Sequence, residues 1–408
     1  MLKRTAWHNT NQLVAKTKAI SFASAAPSLR VISKCQRALK SRIKELSDEL
    51  GPELYNYANT QGDELLRKEL VSKGLAGEGV GKDMVLITNG GQEAIRLVME
   101  VVLKKGSKVM TEKLSYIGLE QAVIDKAGEI VCFSNDLNKL NLSQIERELR
   151  RNKPALVYLI PDFSNPCGSL LKESVRKLIV RLAKELSYWI IEDQTYKELY
   201  YTHNQYPGSM FSEGNKVILI GSISKMIVPG LRIGWLVTTN SSLREKITIK
   251  KESFTLSTNN LSQKLIARLL EKDYEKIIVW VRNHYGKKMK TTLRELEKNM
   301  PKGYSWTKPE GGFYIWITGP KTFESTQVLK LALKNGIGYI PGEIFYYSHK
   351  ELNTFRLSIS AIDGHDIAEG VSRLARTLKG ENIFKKIDTN SSWKKLRNLF
   401  QTSSTINN

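Results

Sequence analysis

The chain has 408 residues, of which 41% are hydrophobic, and a formal net charge of +22. This length and apolar content are enough to bury a large core in about two domains. No apolar run approaches the ~20 residues of a membrane span. The three cysteines show no metal-ligand spacing and no even disulfide framework, which indicates a reducing compartment and a cytoplasmic protein.

The basic residues are spread along the whole chain rather than clustered. A basic face can bind nucleic acid or an acidic partner. Because the lysines are dispersed, we expect a generally basic, solvated surface or an acidic partner, and no specific nucleic-acid site. The first 44 residues contain no Asp or Glu, a composition found in transit peptides, but we favour a simple N-terminal extension.

Apolar segments typical of buried strands alternate with segments of helical period along the chain. The predicted strands are 84–88, 155–160, 188–192 and 217–221. The segments of helical period are 93–104, 171–186 and 262–284. Such alternation predicts an α/β fold with a parallel sheet covered by helices on both faces. Functional residues of such sheets lie at the carboxyl ends of the strands.

The first two sites of interest follow predicted strands. Asn89-Gly-Gly-Gln92 separates strand 84–88 from a helix, and its glycines allow close backbone approach at a helix start. Free N–H groups at such a start favour an anion, so this turn is a candidate phosphate cradle. Tyr116 follows a predicted strand at 108–111 and is a second candidate site residue. The alternative to a functional role is an ordinary tyrosine that packs on the core.

Two further strands end in polar residues. Strand 155–160 runs into Asn165-Pro-Cys-Gly168, which is also good turn chemistry. Strand 188–192 runs into Asp193, with Tyr196 three positions later. A lone aspartate at a strand end is commonly a helix cap or an ion-pair partner, so neither segment identifies a function alone.

The most informative segment is Ser222-Ile-Ser-Lys-Met-Ile-Val-Pro-Gly-Leu-Arg-Ile-Gly234. It places Lys225 on a loop between the strand at 217–221 and a second strand at 233–237. A lysine amine becomes nucleophilic when desolvation or a nearby cation lowers its pKa, and Arg232 is such a cation. A surface lysine is the alternative for any single lysine in this chain, but not for the segment as a whole.

Near the end of the predicted core, Asn353-Thr-Phe-Arg-Leu-Ser-Ile-Ser360 alternates like a half-buried strand. Burial of Arg356 is costly unless the guanidinium meets an anion, and its planar fork suits a carboxylate. An intramolecular salt bridge is the alternative for this arginine.

Taken together, these segments resemble the class I/II aminotransferases, which are fold type I enzymes that use pyridoxal 5'-phosphate (PLP). The loop at 222–234 meets every fixed position of S-x-S-K-x-x-x-P-G-L-R-x-G, and 355–358 matches F-R-L-S. The resemblance spans about residues 20–380 and is strongest to aminoadipate/kynurenine-type aminotransferases and the catalytic domains of MocR-like regulators. The residues before Ile20 are too few for the winged helix of those regulators.

The resemblance implies a large domain with a mostly parallel seven-stranded sheet between helices, and a smaller α+β domain. The implied segments are a basic N-terminal extension (1–19), an N-terminal segment joining the small domain (20–55), the large PLP-binding domain (56–285), the small C-terminal domain (286–380) and a polar basic tail (381–408).

The resemblance also implies roles for the cofactor-binding residues. Lys225 would hold PLP covalently as an internal aldimine, and Asp193 would keep the ring nitrogen protonated. Asn165 and Tyr196 would contact the phenolate oxygen, while Tyr116 would stack on the ring. Phosphate contacts would come from Gly90, Gly91, Gln92, Ser222, Ser224 and Arg232, and from Tyr57 of a neighbouring subunit. A homodimer with a shared active site follows from this last assignment.

Substrate contacts are implied for Arg356, which would grip the α-carboxylate, for Asn165, and for Ala26 in the segment that lines the side-chain pocket. The chain departs from the family at Gly91, usually serine, at Cys167, usually threonine, and at Ala25-Ala26, where relatives tend to have glycine. The lysine-rich surroundings favour a substrate with a second acidic group.

The resulting prediction is a PLP-dependent aminotransferase that moves the amino group of an L-amino acid to a 2-oxo acid. The same residues also serve lyases, decarboxylases, cyclases and oxidases. A non-catalytic PLP-binding regulatory module is a further alternative.

Overall fold

The structure is a computed structural model that describes Val14, Thr17 and residues 19–202 and 206–380. The predicted tail at 381–408 and nearly all of the predicted extension at 1–19 lie outside the described residues. None of the helices in the described ranges combines the length and the apolar character needed to cross a membrane.

Strands and helices alternate through most of the described chain. The strands are β1 (Ile20–Ser21), β2 (Val85–Thr88), β3 (Lys108–Thr111), β4 (Glu129–Cys132), β5 (Leu156–Leu159), β6 (Trp189–Asp193), β7 (Val217–Ser222), β8 (Gly234–Val237), β9 (Ser305–Trp306), β10 (Tyr314–Thr318), β11 (Ile337–Gly338), β12 (Ile340–Pro341) and β13 (Thr354–Ser358). The helices are α1 (Leu29–Leu50), α2 (Glu64–Ser72), α3 (Gly91–Val102), α4 (Leu119–Ile124), α5 (Leu142–Asn152), α6 (Glu173–Leu186), α7 (Ser241–Thr255), α8 (Asn260–Lys272), α9 (Tyr274–Asn299), α10 (Ser325–Lys334) and α11 (Ile367–Leu378).

The central sheet has seven strands in the order β2-β8-β7-β6-β5-β3-β4. The strand β8 runs opposite to the other six strands, which are all parallel to one another. The predicted mostly parallel sheet is therefore confirmed. Every residue of β2, β5, β7 and β8 is buried, as expected for strands covered on both faces. The sheet therefore forms a rigid platform whose strand ends present the loops of the site.

A smaller antiparallel sheet, β12-β13-β10-β9, forms from residues later in the chain, and β1 pairs separately with β11. The N-terminal segment is tied to this part of the fold because the Ser358 amide donates to the Phe22 carbonyl at 2.8 Å. Arg356 in β13 and Tyr314 in β10 thereby lie beside residues that follow β1 in sequence.

The stretch of helical period predicted at 262–284 is helical, and it is divided between two helices. Asp273, with φ −125° and ψ −13°, leaves the helical region and separates α8 from α9. Its carboxylate accepts a hydrogen bond from Arg42 Nε at 3.0 Å, a long-range contact that helical periodicity does not reveal. The predicted domain border at 285/286 falls inside α9 and stays a prediction.

Candidate active site

A cavity of about 320 Å³ lies at the carboxyl ends of the central strands. Its lining includes most of the residues singled out from the sequence, namely Gly91, Gln92, Tyr116, Asn165, Asp193, Tyr196, Ser222, Ser224, Lys225, Arg232 and Arg356. These residues come from turns and strands spread over more than 260 positions of sequence (356 − 91 = 265). The fold thus gathers the predicted residues into one site.

Three predicted site residues do not line this cavity. Gly90 is buried and precedes Gly91, which lines the cavity. Ala26 is exposed, whereas its neighbour Ala25 lines the cavity. Tyr57 is 83% exposed and borders a separate groove with Leu256. Within one chain, Tyr57 therefore has no access to the cavity.

Lys225 occupies the loop between β7 and β8, as predicted. Its Nζ donates to the Ala25 carbonyl at 2.9 Å. Burial lowers the pKa of Lys225 to about 8, with smaller contributions from the cations Arg356 and Arg232 and an opposing one from Asp193. A sizeable fraction of the amine is therefore neutral near physiological pH, as a nucleophile or a proton acceptor requires.

Asp193, at the end of β6, is buried and held by three hydrogen bonds. Tyr158 Oη donates at 2.8 Å, the Thr195 amide donates at 3.0 Å, and the Thr195 hydroxyl also donates to the carboxylate. Burial raises the pKa of Asp193, against the effect of these hydrogen bonds. A cationic group in the cavity would relieve this cost, so the carboxylate fits the protonated ring nitrogen of PLP.

The start of α3 forms the anion-binding corner of the cavity. Gly90, with φ +85°, is the N-cap and provides no side-chain hydrogen bond to the free amides of the helix. A Cβ at Gly90 would lie 2.5 Å from Arg232 Nη2, so only glycine lets the guanidinium approach the turn. Arg232 Nη2 itself donates to the Asn89 carbonyl at 3.1 Å. Free amides and a guanidinium at one helix start fit a phosphate.

Opposite this start lie two buried hydroxyl side chains. Ser222 Oγ donates to Ser224 Oγ at 2.9 Å, and the Ser222 hydroxyl also contacts the Ile233 carbonyl. Ser222 ends β7 and Ser224 precedes Lys225, so the phosphate corner and the lysine are fixed by the same turn.

Replacing Gly91 by serine is expected to tighten PLP binding by about ten-fold, because a charge-assisted hydrogen bond contributes ~1.5–3 kcal/mol. A Cβ at Gly91 would meet only ordinary contacts, the nearest at 3.6 Å to Ile220 Cγ2. Equilibrium titration of the apoprotein with PLP measures the effect. Gly91→Ala is the control for helix propensity, and Gly90→Ala should weaken binding by displacing Arg232. Equal affinities for Gly91→Ser and Gly91→Ala would contradict the missing hydrogen bond.

Arg356 is a buried cation that is 1% exposed. Its Nη1 donates to Asn165 Oδ1 at 2.8 Å and its Nη2 to the Ala23 carbonyl at 3.0 Å. Its Nε has no hydrogen-bond partner, and no carboxylate of the described residues lies within ion-pair distance. Burial lowers the pKa of this guanidinium. The salt-bridge alternative therefore does not hold among the described residues, and the site calls for an anionic ligand.

Several cavity residues were not predicted from the sequence. Tyr314 and Phe345 enclose the Arg356 guanidinium, with ring centroids 4.3 Å and 4.9 Å from its Cζ. Tyr314 Oη also shares a hydrogen bond of 2.8 Å with Tyr196 Oη. Both residues belong to small-domain segments that match the family, at 309–316 and 340–345, so the resemblance was a signal that could have found them.

Tyr116 lies on the wall of the cavity and is held from two sides. Its hydroxyl donates to Gln92 Oε1 at 2.9 Å, and its backbone carbonyl accepts from Tyr347 Oη at 2.6 Å. The segment before Tyr347 also contacts this loop, since the Ser115 amide donates to the Phe345 carbonyl at 3.2 Å. A ring that stacks on a flat cofactor needs this kind of fixed placement.

Tyr347→Phe is expected to weaken PLP binding several-fold, because it removes the hydrogen bond that fixes the Tyr116 loop, with a cost of ~1 kcal/mol. The dissociation constant and the absorbance maximum of bound PLP are the measurements. Tyr188→Phe is a matched control, since Tyr188 Oη also donates to a backbone carbonyl, that of Ile179 at 2.7 Å, away from the cavity. Equal effects of the two substitutions would show that Tyr347 only stabilises the fold.

Comparison with known proteins agrees with this geometry. The family model for aminotransferase class I and II matches residues 18–374. A 2-aminoadipate transaminase of Thermus thermophilus is 32% identical over 374 residues, which cover 90% of this chain and 92% of that protein. A crystal structure of Pyrococcus horikoshii kynurenine aminotransferase in complex with PMP has a TM-score of 0.86 at 32% identity, covering 93% of this chain and 95% of that one.

An HTH-type transcriptional regulator of Bacillus subtilis is also similar, at 30% identity over 328 residues, which cover 79% of this chain and 67% of that protein. The chain belongs to the class I and II aminotransferase family of PLP-dependent enzymes. The predicted fold type, cofactor and enzyme class are thereby confirmed, and the regulators are the more distant relatives.

Proposed function

We propose that this aminotransferase works through Lys225, with Arg356 as the group that binds the substrate carboxylate. One observation carries the proposal: Lys225, whose amine is partly neutral, and the buried Arg356 line the same cavity. The Nε of Arg356 has no hydrogen-bond partner among the described residues. Arg356 has no carboxylate partner among the described residues. An amino acid and its 2-oxo acid both carry a carboxylate that could fill this place, so one site serves both half-reactions.

PLP, when bound, supplies an electron sink that acidifies the Cα–H bond of the substrate. Lys225 Nζ is the base that takes this proton and the acid that returns one, because it is the amine among the described lining residues and its pKa is lowered to about 8. Asp193 keeps a positive charge on the ring nitrogen. Arg356 orients the carboxylate, and the Asn165 amide holds Arg356 in place through their hydrogen bond.

The described part of the cavity offers three cations, Lys225, Arg232 and Arg356, and each has a role in this proposal. A second carboxylate on the substrate would find no further cation there. Ile95, Ile117 and Ile160 add apolar surface to the lining. We therefore now favour an amino donor with an uncharged side chain over the acidic one expected from the composition.

The test is the absorption spectrum of the PLP-loaded protein as single amino acids are added without any oxo acid. Conversion to the pyridoxamine form, with stoichiometric 2-oxo acid, is expected with uncharged donors first. Release of ammonia or carbon dioxide instead would move the activity to an oxidase, a lyase or a decarboxylase. A preference for dicarboxylic donors would contradict the side-chain assignment but leave transamination standing.

Association of PLP with the apoprotein is expected to depend on pH through Lys225. Its folded pKa lies below the value of 10.5 for an ordinary lysine, so the reactive neutral fraction rises with pH and levels off above about 8. Stopped-flow absorbance between pH 6 and 10, in buffers of about constant ionic strength, measures the rate. A rate that keeps rising toward the ordinary lysine value would contradict the lowered pKa.

A homodimer with a shared active site remains part of the proposal. Tyr57 is exposed in the single chain and lies beside exposed Tyr55 and Leu256, a surface suited to a second copy. In a dimer Tyr57 would reach the phosphate of the neighbouring site. Light scattering gives the mass, and Tyr57→Phe should weaken PLP binding only if the hydroxyl belongs to that site. A monomer that binds PLP normally would contradict this.

The cytoplasmic location and the lack of a specific nucleic-acid partner also remain proposals. The location is supported by the three cysteines, Cys35, Cys132 and Cys167, all of which are free. The second proposal is supported by the spread of the basic residues along the whole chain.

A further inference from the structure

A second groove, which none of the assigned roles uses, lies between α9, the start of α1 and the turn that precedes α11. Its volume is about 1020 Å³, and it is lined by Arg30, Trp280, His284, Lys287, Lys288 and Asp363 among others. Six of its eleven lining residues are basic or aromatic, and one is acidic.

Lys288 forms the floor of the groove and is 4% exposed. Its Nζ donates to the Ser360 carbonyl at 2.8 Å, and no carboxylate of the described residues lies within 4.0 Å of it. Burial lowers the pKa of Lys288 to about 7, and Asp363 opposes this only in part. The Nζ of Lys288 also lies 5.4 Å from the centroid of the Tyr285 ring. One carbonyl and one ring face leave the three donors of a buried ammonium without a full counter-charge, so the site favours an anion.

The rim of the groove adds positive charge. Arg30 and Lys287 are exposed, and neither forms an ion pair with another of the described residues. Asp363 is the one acidic residue of the lining, so the groove stays net positive. On the wall, His284 stacks on Trp280 with ring centroids 5.1 Å apart, and burial lowers the pKa of His284 to about 4. His284 is thus neutral and contributes a hydrogen-bonding nitrogen rather than a charge.

Short hydrogen-bonded links join the groove to the active site. Ser360, whose carbonyl binds Lys288, donates from its hydroxyl to the Ser24 carbonyl at 3.0 Å. The next residue, Ala25, is the one whose carbonyl accepts from Lys225 Nζ. On the other side, the Ser28 amide donates to Tyr285 Oη at 3.1 Å, beside His284. Within residues 23–28, Ala25 therefore lines the active-site cavity, and Ser28 contacts the groove residue His284 through a hydrogen bond of 3.3 Å between Ser28 Oγ and His284 Nε2.

We propose that this groove binds a small multivalent oxyanion, a phosphate or a polycarboxylate, with Lys288 as the buried contact and Arg30 and Lys287 as the rim. The bound anion supplies the negative charge that Lys288 lacks. Because residues 23–28 link the groove to Lys225, the anion modulates the active site.

Calorimetric titration of the PLP-loaded enzyme with inorganic phosphate, and separately with citrate, tests the site and distinguishes the two kinds of anion. PLP loading keeps the phosphate corner at Arg232 filled. We expect one saturable site per chain in addition to any binding at Arg356 in the active site. The affinity of this added site should be about ten-fold weaker in Lys288→Met, the loss typical of one charge-assisted hydrogen bond. Lys290→Met is the matched control, because Lys290 is an exposed lysine on the same helix.

A second variant combines Arg30→Gln with Lys287→Gln. Both residues are exposed, so this double variant should fold and can still test the groove if Lys288→Met does not fold. This double variant should bind several-fold more weakly. The absence of saturable binding by either anion would overturn the proposal. Equal affinity in the groove variants and in Lys290→Met would overturn it too, because the anion would then bind elsewhere.

The link to Lys225 is tested by the spectroscopic pKa of the bound cofactor, measured at constant ionic strength with and without the anion that binds. A negative charge in the groove favours the protonated form, so this pKa should rise by a few tenths of a unit, and Lys288→Met should abolish the rise. An unchanged pKa at saturating anion would overturn the link.

Discussion

Lys225→Ala is expected to lower kcat for transamination by about four orders of magnitude or more, because it removes both the covalent anchor and the proton carrier. None of the described residues that line the cavity can replace this amine. The other cations that line it are Arg232 and Arg356, and an arginine stays protonated and does not act as a base. Steady-state rates with one amino acid and one 2-oxo acid measure the loss, and single-turnover absorbance shows which step is lost.

The PLP phosphate contacts are expected to survive this substitution. Ser222, Ser224 and Arg232 are held by their own hydrogen bonds, so the variant should still bind PLP, but reversibly on dialysis. A small primary amine added to the solution should restore part of the rate, since the missing group is only an amine. Lys290→Ala is the control for loss of a lysine. Turnover near the wild-type rate in Lys225→Ala would remove this residue from the mechanism.

The positions of candidate site residues were easiest to predict from the sequence where the residue lies at or just after the end of a buried strand. Asp193 ends β6 and Lys225 follows β7, and buried strands are readable from short apolar runs. Because the carboxyl ends of parallel strands meet at one edge, their placement together followed from the pattern. The match at 222–234 then gave the cofactor, which strand patterns alone do not.

Long-range side-chain contacts could not be predicted in the same way. Tyr158 lies within the fully buried strand β5 like any core residue, and only the packing of β5 beside β6 shows that its hydroxyl reaches Asp193. At the break between α8 and α9, the partner of Asp273 is Arg42, more than 200 positions earlier (273 − 42 = 231). The buried, under-compensated state of Lys288 is likewise invisible in a chain so rich in lysine.

The second large effect is expected at Arg356. Arg356→Leu should lower kcat/KM by about 10³-fold, because the carboxylate loses a guanidinium fork whose charge-assisted hydrogen bonds contribute ~1.5–3 kcal/mol each. Arg356→Lys keeps the charge but not the planar fork, and Phe345 and Tyr314 leave a flat slot that an ammonium fills poorly. We therefore expect an intermediate loss for lysine, measured with the best amino donor.

The stability of the same variants separates a binding role from a structural one. Arg176 is an equally buried arginine, but it pairs with the Asp162 carboxylate at 2.8 Å, so Arg176→Leu should cost about 3–5 kcal/mol of unfolding free energy. Arg356 has no carboxylate partner in the described chain, and Arg356→Leu should cost clearly less. Thermal and urea unfolding of the apoproteins make the comparison. If Arg356→Leu unfolds as readily as Arg176→Leu while kcat/KM stays within a few-fold, the guanidinium is a structural cation and the carboxylate binds elsewhere.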